Sequence, residues 1–265
     1  MKVITSRENN LYKQTLKLLR KKSRDETGLY LLEGTKPLKD ALELGIMIEK
    51  IFACLGKEPE PWIPQDKCIF LDRRLFEELS GTVHSQGIIA VVRKPQTDPA
   101  AFLEEISGPV VVLDRLQDPG NAGTIIRTAE AAGFGGIIAL PGSVDLYAPK
   151  TVRSAAGSIL RMPVLTDVDA PELIRMLEKD QRQLIVTALE EAEDCFEADL
   201  PSRAALVIGN EGSGVSGELM EAAGLRVRIP MDGEIESLNA AVAAGVLMYQ
   251  INHSQKQRKK ACRNS

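Results

Sequence analysis

Metal-binding and redox side chains are scarce in this sequence. Its 265 residues include two histidines and four cysteines. The cysteines, Cys54, Cys68, Cys195 and Cys262, lie far apart and form no CxxC pair. A zinc site is therefore not expected, because zinc is held by several thiolate or imidazole ligands at short spacings. Nothing in the pattern calls for an oxidising compartment.

Long apolar runs are missing as well. Lysine and arginine interrupt the leucines of the N-terminal segment, so no signal-peptide core is expected. The longest uncharged run near the C-terminus, Ala240–Tyr249, is shorter than the roughly 20 residues of a membrane-spanning helix. We therefore expect a cytoplasmic protein that has no membrane partner.

Acidic residues are nearly missing from both ends of the chain, although the net charge is −4. Residues 1–24 hold eight Lys or Arg and a single acid, Glu8. Residues 253–265 hold five Lys or Arg and no acid. Two interpretations remain open: the ends are solvated tails, or they contact a polyanion such as RNA.

What is present is typical of a globular protein with a sizeable core, since 44% of the residues are hydrophobic and 26% are charged. The length favours two domains, which we place at residues 1–96 and 106–265. The proline-rich stretch between them, with residues 94–109, predicts a linker with one helix. The first domain is predicted as a small α/β unit. Its predicted helices are 10–22, 35–45 and 73–81, and its predicted strands are 28–34, 48–54, 68–72 and 87–93.

The second domain has five short, nearly all-apolar runs. They lie at residues 110–114, 136–140, 184–189, 205–210 and 225–230. Such runs are typical of strands buried on both faces of a parallel sheet, and helical stretches separate them. The alternation predicts an α/β domain with a mostly parallel sheet. Ligands of such sheets bind beyond the carboxyl ends of the strands, which is where the unusual loops of this chain fall.

The first of these loops carries Gly120, Asn121 and Gly123 directly before a helix. Backbone N–H groups at a helix start bind anions or carboxylates; alternatively, Asn121 caps the helix. Arg127 follows in an otherwise apolar stretch, and we expect it to have a polar partner. The glycine spacing matches neither the GxGxxG fingerprint nor the GxxxxGKS/T phosphate loop, which argues against a dinucleotide-dependent oxidoreductase.

Two further loops stand out. Residues 209–214 include three glycines, which lets their backbone come close to a ligand, and Glu211 among them either faces solvent or lines a site. In the stretch 229–245, Ser237 is a candidate N-cap, and Asn239, a poor helix former, predicts a polar contact before a helix of small side chains. The predicted core face of that helix comprises Leu238, Ala241, Val242, Gly245, Val246 and Tyr249.

Together these stretches resemble, in order and in spacing, the three motifs of the SpoU (TrmH-type) RNA 2′-O-ribose methyltransferases. The motifs are NxGxxxR from Asn121 to Arg127, GNEGSG at 209–214 and IPMDGEIESLNAAVAAG at 229–245. The first domain, with LLEG at 31–34 and HSQGIIAVV at 84–92, is similar to the small RNA substrate-binding domain that is often fused to these enzymes.

The resemblance implies an α/β-knot methyltransferase domain with a trefoil knot and a mostly parallel sheet. It also implies S-adenosyl-L-methionine as the cofactor and a homodimer. The implied polar active-site positions are Asn121, Arg127, Glu211, Ser237 and Asn239. The implied cofactor contacts are Thr187, Ala188, Leu189, Gly209, Asn210, Gly212, Ile229, Met231 and Leu238.

The implied reaction is methyl transfer to a ribose 2′-hydroxyl without a metal, because the sulfonium methyl group is itself electrophilic. Alignment of the hydroxyl with that group lowers the barrier by roughly 7–11 kcal/mol. Arg127 is the base proposed for the family; the alternative is that it clamps a phosphate and stabilises the developing alkoxide. His84 lies outside the motifs and is interpreted as a structural or RNA-contacting residue.

We expect structured RNA instead of DNA as the partner, since the 2′-hydroxyl distinguishes the two. The extra N-terminal domain favours ribosomal RNA over transfer RNA. A transfer RNA 2′-O-methyltransferase and a non-catalytic RNA-binding protein of the same fold remain the alternatives.

Overall fold

The computed structural model of the protein describes residues 2–82, 85–188, 190–235 and 237–264, with the backbone alone for Lys259 and residues 262–264. The chain forms two compact units. One comprises Met1–Gln96 and Asp145–Leu160, and the other comprises Thr97–Val144 and Arg161–Ser265. The first unit thus includes a segment, Asp145–Leu160, from far along the chain.

Helices and strands are interspersed as far as residue 93. The elements are β1 (Lys2–Ile4), α1 (Asn10–Lys17), α2 (Lys21–Thr27), β2 (Leu29–Glu33), α3 (Thr35–Glu43), β3 (Ile48–Cys54), β4 (Cys68–Leu71), α4 (Arg73–Ser80) and β5 (Ile88–Arg93). Their strands form one sheet in the order β1-β4-β3-β5-β2 with parallel and antiparallel neighbours.

The basic N-terminal segment forms two helices, so the single helix expected at residues 10–22 is wrong. α1 ends at Lys17, and Arg20 is extended (φ −100°, ψ 136°) before α2 begins. Tyr12 of α1 is fully buried, and its hydroxyl donates to the Leu75 carbonyl oxygen at 3.0 Å. This hydrogen bond connects α1 to α4. The lysines of α1 lie on its opposite side and are exposed to solvent.

From residue 99 the chain continues with a longer series of elements. They are α5 (Pro99–Phe102), β6 (Val110–Leu113), α6 (Pro119–Ala131), β7 (Gly136–Ala139), α7 (Pro149–Ser154), a 3-10 turn (Ser158–Leu160), β8 (Val164–Thr166), α8 (Ala170–Lys179), β9 (Gln183–Thr187), β10 (Glu193–Asp194), β11 (Ala204–Ile208), α9 (Gly217–Glu221), β12 (Leu225–Arg228) and α10 (Ala240–Asn264). Among the described residues, no helix is long and apolar enough to cross a membrane.

The strands of the second unit form a seven-stranded sheet in the order β10-β12-β9-β11-β6-β7-β8, and every pair in it is parallel. All residues of β6, β7 and β11 are buried, because helices cover both faces. Phe102, Leu173 and Leu219 of α5, α8 and α9 join the core on one face. On the other, α10 contacts β11 and packs against α6. The predicted α/β domain with a parallel sheet is confirmed.

α10 turns a different face inward from the one expected. Its buried residues are Ala241, Ala244, Leu247, Met248 and Ile251. Val242 and Tyr249, both expected in the core, are 54% and 55% exposed. The expectation is wrong for these two because small and apolar residues occur on two sides of this helix, and packing against α6 selects one side.

Candidate active site

Three loops meet at the carboxyl edge of the seven-stranded sheet. β6 and β11 are neighbours, with Leu113 opposite Ile208 at their last residues. The loops that follow these strands comprise residues 114–118 and 209–216. The third loop, residues 229–239, leads from β12 to α10. Because all these strands are parallel, the loops that stand out in the sequence share one edge of the sheet.

Side-chain hydrogen bonds join the second and third loops to the first turn of α6, which includes Asn121 and directly follows the first loop. Asn239 Nδ2 donates to Asn121 Oδ1 at 3.0 Å, and Asn121 Nδ2 donates to Glu211 Oε1 at 3.1 Å. We call this arrangement the amide–carboxylate chain. Each of the three sequence motifs contributes one residue to it, so three of the five expected polar positions are brought into direct contact.

Glu211 is held as a carboxylate. Its Oε2 accepts the backbone N–H of Gln117 and its Oε1 accepts that of Asp118, each at 3.2 Å. Burial acts to raise the pKa of Glu211, but hydrogen bonds from backbone N–H groups and from Asn121 outweigh it, so that the pKa lies below its usual value. The ionised side chain therefore ties the loop after β11 to the loop after β6.

The two helices at the site have caps other than those considered from the sequence. Asp118 caps α6, since its Oδ1 accepts the Asn121 N–H at 2.7 Å. Asn239 caps α10, since its Oδ1 accepts two N–H groups of the first turn at 2.9 and 3.3 Å. Ser237 is exposed and forms no hydrogen bond with the described residues, so its expected capping role is wrong. The Asn121 side chain is thereby left available for the amide–carboxylate chain.

The loop after β11 is tightly folded. Asn210 and Gly214 exchange both of their backbone hydrogen bonds, at 3.0 and 2.9 Å. A Cβ on Gly209 would lie 2.4 Å from the Gly214 carbonyl carbon and 2.5 Å from the Val215 nitrogen, so only glycine fits there. Gly212 is less restricted, because the nearest atom to its Cβ would be 3.6 Å away. The loop therefore presents mainly backbone at the end of β11.

A buried acid outside the expected site residues supports this loop. Asp114 is 2% exposed, and its Oδ2 accepts the Ser216 N–H at 2.6 Å. Arg115 pairs with Asp114 (Nε to Oδ1, 3.0 Å) and donates to the Gly214 carbonyl oxygen at 3.1 Å. The sequence carries a signal for this pair, since an acid directly follows an all-apolar strand, where burial requires partners.

The expected cofactor positions lie at the same edge. Thr187 and Ala188 stand at the end of β9, which lies between β11 and β12. Gly209, Asn210 and Gly212 follow β11, Ile229 and Met231 follow β12, and Leu238 precedes α10. Leu189 lies outside the described residues.

These residues suit an adenosyl cofactor. Ile229, Met231 and Leu238 are apolar and only partly buried, so they leave apolar surface at this edge, as the ring of such a cofactor requires. β9, β11 and β12, whose carboxyl ends face this edge, are adjacent in the sheet. Within the described ranges, no group of three or more His, Cys, Asp or Glu side chains is placed to hold a metal ion.

Arg127 stays apart from the amide–carboxylate chain. It is exposed on α6 and forms no ion pair or hydrogen bond with the residues that the structure describes. The partner expected from its apolar surroundings is therefore not found in the described part of the chain. Its guanidinium group is open to solvent, where it can bind an anionic ligand. His84 lies outside the described residues.

Comparisons with known proteins give a family match for each part of the chain. Residues 108–249 match the SpoU rRNA Methylase family, and residues 9–90 match the MRM3-like substrate binding domain. A relative from Bacillus subtilis (strain 168), named 23S rRNA (guanosine(2553)-2'-O)-methyltransferase RlmP, is 34% identical over 256 residues, which cover 95% of this chain and 99% of the relative.

Solved structures share the fold over nearly the whole chain. The AdoMet-bound rRNA methyltransferase from Sinorhizobium meliloti has a TM-score of 0.86 and 30% identity, with 95% of this chain and 97% of the other covered. The SpoU methyltransferase AviRb from Streptomyces viridochromogenes, in complex with the cofactor AdoMet, has a TM-score of 0.83 and 28% identity, with 94% and 100% covered. The chain whose three motifs meet at this edge belongs to the SpoU rRNA methylase family.

Proposed function

We propose that the protein transfers a methyl group from S-adenosylmethionine to a ribose 2′-hydroxyl of ribosomal RNA. The observation that carries the proposal is the amide–carboxylate chain, in which each SpoU motif contributes one polar side chain. Membership of the family and a relative named as an rRNA 2′-O-methyltransferase support the reaction and the class of RNA. The match of residues 9–90 to a substrate-binding domain supports a separate contribution of the first unit to RNA binding.

We assign the cofactor to the ends of β9, β11 and β12. S-adenosylmethionine supplies an electrophilic methyl group when it is bound there. The absence of a side chain at Gly209 keeps the loop after β11 compact. Ile229 and Leu238 offer apolar surface, and Thr187 and Ala188 offer backbone groups at the neighbouring strand end.

The five polar positions have different roles. Glu211 is an anchor instead of a general base, because its oxygens already accept N–H groups and its pKa is lowered. Asn121 and Asn239 hold fixed amide groups that orient the ribose, and Ser237 adds an exposed hydroxyl. Arg127 would bind the neighbouring phosphate and stabilise the charge that develops as the hydroxyl oxygen bonds to the methyl carbon. The sulfonium S–C bond would break at the same time and leave its electron pair on sulfur, and the hydroxyl proton would pass to that phosphate. Alignment contributes roughly 7–11 kcal/mol to lowering the barrier.

We also propose that the domain is knotted. β12 lies on the far side of β9 and β11 from β6, whereas α10 packs against α6, the helix that follows β6. The connection from β12 to α10 therefore returns across the carboxyl ends of β9 and β11. This return, next to the loop after β11, supports the trefoil knot that the family resemblance implies.

A homodimer through α10 is part of the proposal. Val242 and Tyr249 are seven residues apart on α10 and exposed, so they form an apolar stripe on the side opposite to the packing against α6. Glutamate at both positions is expected to yield a monomer in sedimentation analysis. An unchanged sedimentation coefficient would exclude this stripe as the dimer contact.

The function is tested by mapping ribose methylation in ribosomal RNA from cells with and without the gene. We expect one 2′-O-methyl group to disappear on deletion and to return with the wild-type gene but not with Asn121→Asp. An unchanged ribosomal map together with a lost transfer RNA methyl group would contradict the ribosomal substrate. A cytoplasmic location belongs to the same proposal and is checked by cell fractionation.

A further inference from the structure

A concave, positively charged surface runs along α1 in the first unit. Its volume is about 650 Å³. It is lined by the cations Arg7, Lys13, Lys17 and Arg20 and by one acid, Glu78. We call it the α1 groove. None of these residues belongs to the loops that carry the SpoU motifs, so the groove lies outside the site of methyl transfer.

The cations of the α1 groove are only partly neutralised within the chain. Arg7 and Lys13 each pair with a glutamate. Lys17 and Arg20 form no ion pair with any residue in the described ranges. The groove therefore keeps a positive charge that no described side chain balances, and such a surface attracts an anion.

The uncharged lining favours a nucleotide chain over other anions. Asn10 and Gln14 are four residues apart on α1, so both amides lie on one side of the helix. Leu16 and Leu19 add apolar surface, and Leu19 is 37% exposed. RNA offers phosphates to the cations, hydroxyls and base edges to the amides, and ribose or base faces to the leucines.

A membrane surface fits this helix less well. Helices that bind membranes present a broad apolar face to the lipid. α1 uses its most apolar side for packing inside the first unit, where Tyr12 and Thr15 are buried. What remains outside is mainly cations and amides, which is the lining expected of a groove for a polar, charged polymer.

We propose that the α1 groove binds the sugar–phosphate backbone of the RNA substrate, with Lys17 and Arg20 at phosphates and Asn10 and Gln14 at ribose or base edges. The proposal rests on the proposed function in so far as that function makes RNA the substrate. Phosphate contacts position a protein on its nucleic acid without reading sequence. The groove therefore supplies affinity and placement, and its loss should raise KM for RNA while kcat remains.

The test uses the full chain and the charge-reversal variant Lys17→Glu with Arg20→Glu. The matched control is Lys36→Glu with Lys50→Glu, which changes the net charge equally at two exposed lysines outside the groove. Affinity for a transcript of the large ribosomal RNA is measured by fluorescence anisotropy at several salt concentrations. Methyl transfer at saturating RNA, affinity for S-adenosylmethionine, and binding to vesicles that contain phosphatidylserine are measured on the same preparations.

We expect the groove variant to bind the transcript at least about tenfold more weakly near physiological salt, and the control to change far less. The slope of log affinity against log salt should decrease by about 0.7–0.9 for each lost phosphate contact. Cofactor affinity and transfer at saturating RNA should stay at the wild-type values.

Equal losses of RNA affinity in the two variants, or no loss in either, would contradict the proposed role of the α1 groove. Vesicle binding that disappears in the groove variant while RNA binding persists would also overturn it, in favour of a lipid surface. If the wild-type protein binds RNA through the α1 groove but transfers no methyl group, the RNA-binding role of the groove stands and the proposed function is wrong.

Discussion

Asn239 and Asn121 are hydrogen-bonded to each other, with Nδ2 of Asn239 donating to Oδ1 of Asn121 at 3.0 Å. The same Asn239 caps α10 through its Oδ1. The nitrogen and the oxygen of the Asn239 amide are therefore both hydrogen-bonded, and the cap at the start of α10 fixes the orientation of the side chain. Asn121 extends the arrangement to Glu211. The polar edge is thus ordered by the protein itself, which is the condition for catalysis by alignment.

Asn121→Asp removes the donor in the middle of the amide–carboxylate chain. The new carboxylate would face Glu211, and two adjacent carboxylates disfavour ionisation, so the pKa of Glu211 should rise. We expect single-turnover methyl transfer to fall by about 10²-fold while the protein remains folded. Asn121→Ala, which removes the amide without adding charge, serves as the control, and its rate of methyl transfer should fall less. Wild-type rates in Asn121→Asp would show that the chain has no role in transfer.

Glu211 predicts a specific pH dependence of stability. Its folded pKa lies below the ordinary value of 4.5, so its hydrogen bonds stabilise the fold fully above pH 4.5 and are lost as the pH falls through the lowered pKa. The difference in unfolding free energy between wild type and Glu211→Gln should therefore be constant from about pH 6 to 8 and shrink in acid. Denaturant unfolding across this range checks it. A difference that grows on acidification would mean that the folded pKa is raised.

Gly209→Ala tests the compact loop after β11. An added Cβ would lie 2.4 Å from the Gly214 carbonyl carbon, so the loop has to shift, at a cost of roughly 1–3 kcal/mol. We expect affinity for S-adenosylmethionine, measured by calorimetry, to fall by at least about tenfold. Gly217→Ala is the control, because nothing lies within 4 Å of a Cβ there. Equal affinities in the two variants would remove Gly209 from the cofactor site.

Arg127→Ala should separate cofactor binding from transfer. The side chain is exposed and has no partner in the described part of the chain, so its removal should leave stability and cofactor affinity nearly unchanged. Methyl transfer should fall by about 10²-fold or more, because a charge-stabilising group is lost. Arg127→Lys should rescue poorly, since a point charge lacks the planar fork of arginine.

The control for this experiment is Arg175→Ala, which removes an exposed arginine from α8 in the same unit. The Arg175→Ala variant should transfer the methyl group at the wild-type rate. If Arg127→Ala unfolds the protein, or lowers cofactor binding and transfer in equal measure, Arg127 is structural and its assigned role is wrong.

The parallel sheet and the position of its loops could be predicted because they depend on local composition. Apolar runs such as 110–114 and 205–210 are suited to burial on both faces, and parallel strands bring their loops to one edge. Asn121, Glu211 and Asn239 stand out as polar side chains among glycines or small residues, and the structure joins all three.

Features that depend on distant contacts could not be predicted. Whether Asp118 or Asn121 caps α6 depends on the residue at which the helix begins. Local sequence patterns do not predict a helix start to the exact residue. The first unit includes Asp145–Leu160 because of contacts such as the ion pair of Arg24 with Asp145, whose partners are 121 residues apart. The buried face of α10 likewise depends on α6, which is far away in sequence.

The central claim is that the three loops form a site for ribose methylation, and one product analysis tests it most directly. The purified protein is incubated with a ribosomal RNA transcript and S-adenosylmethionine that carries a labelled methyl group, and the RNA is then hydrolysed with alkali. A 2′-O-methyl group blocks alkaline cleavage of the adjacent phosphodiester bond, so the label is predicted in an alkali-resistant dinucleotide. Label in single nucleotides, as methylation of a base produces, or no transfer at all, would contradict the account.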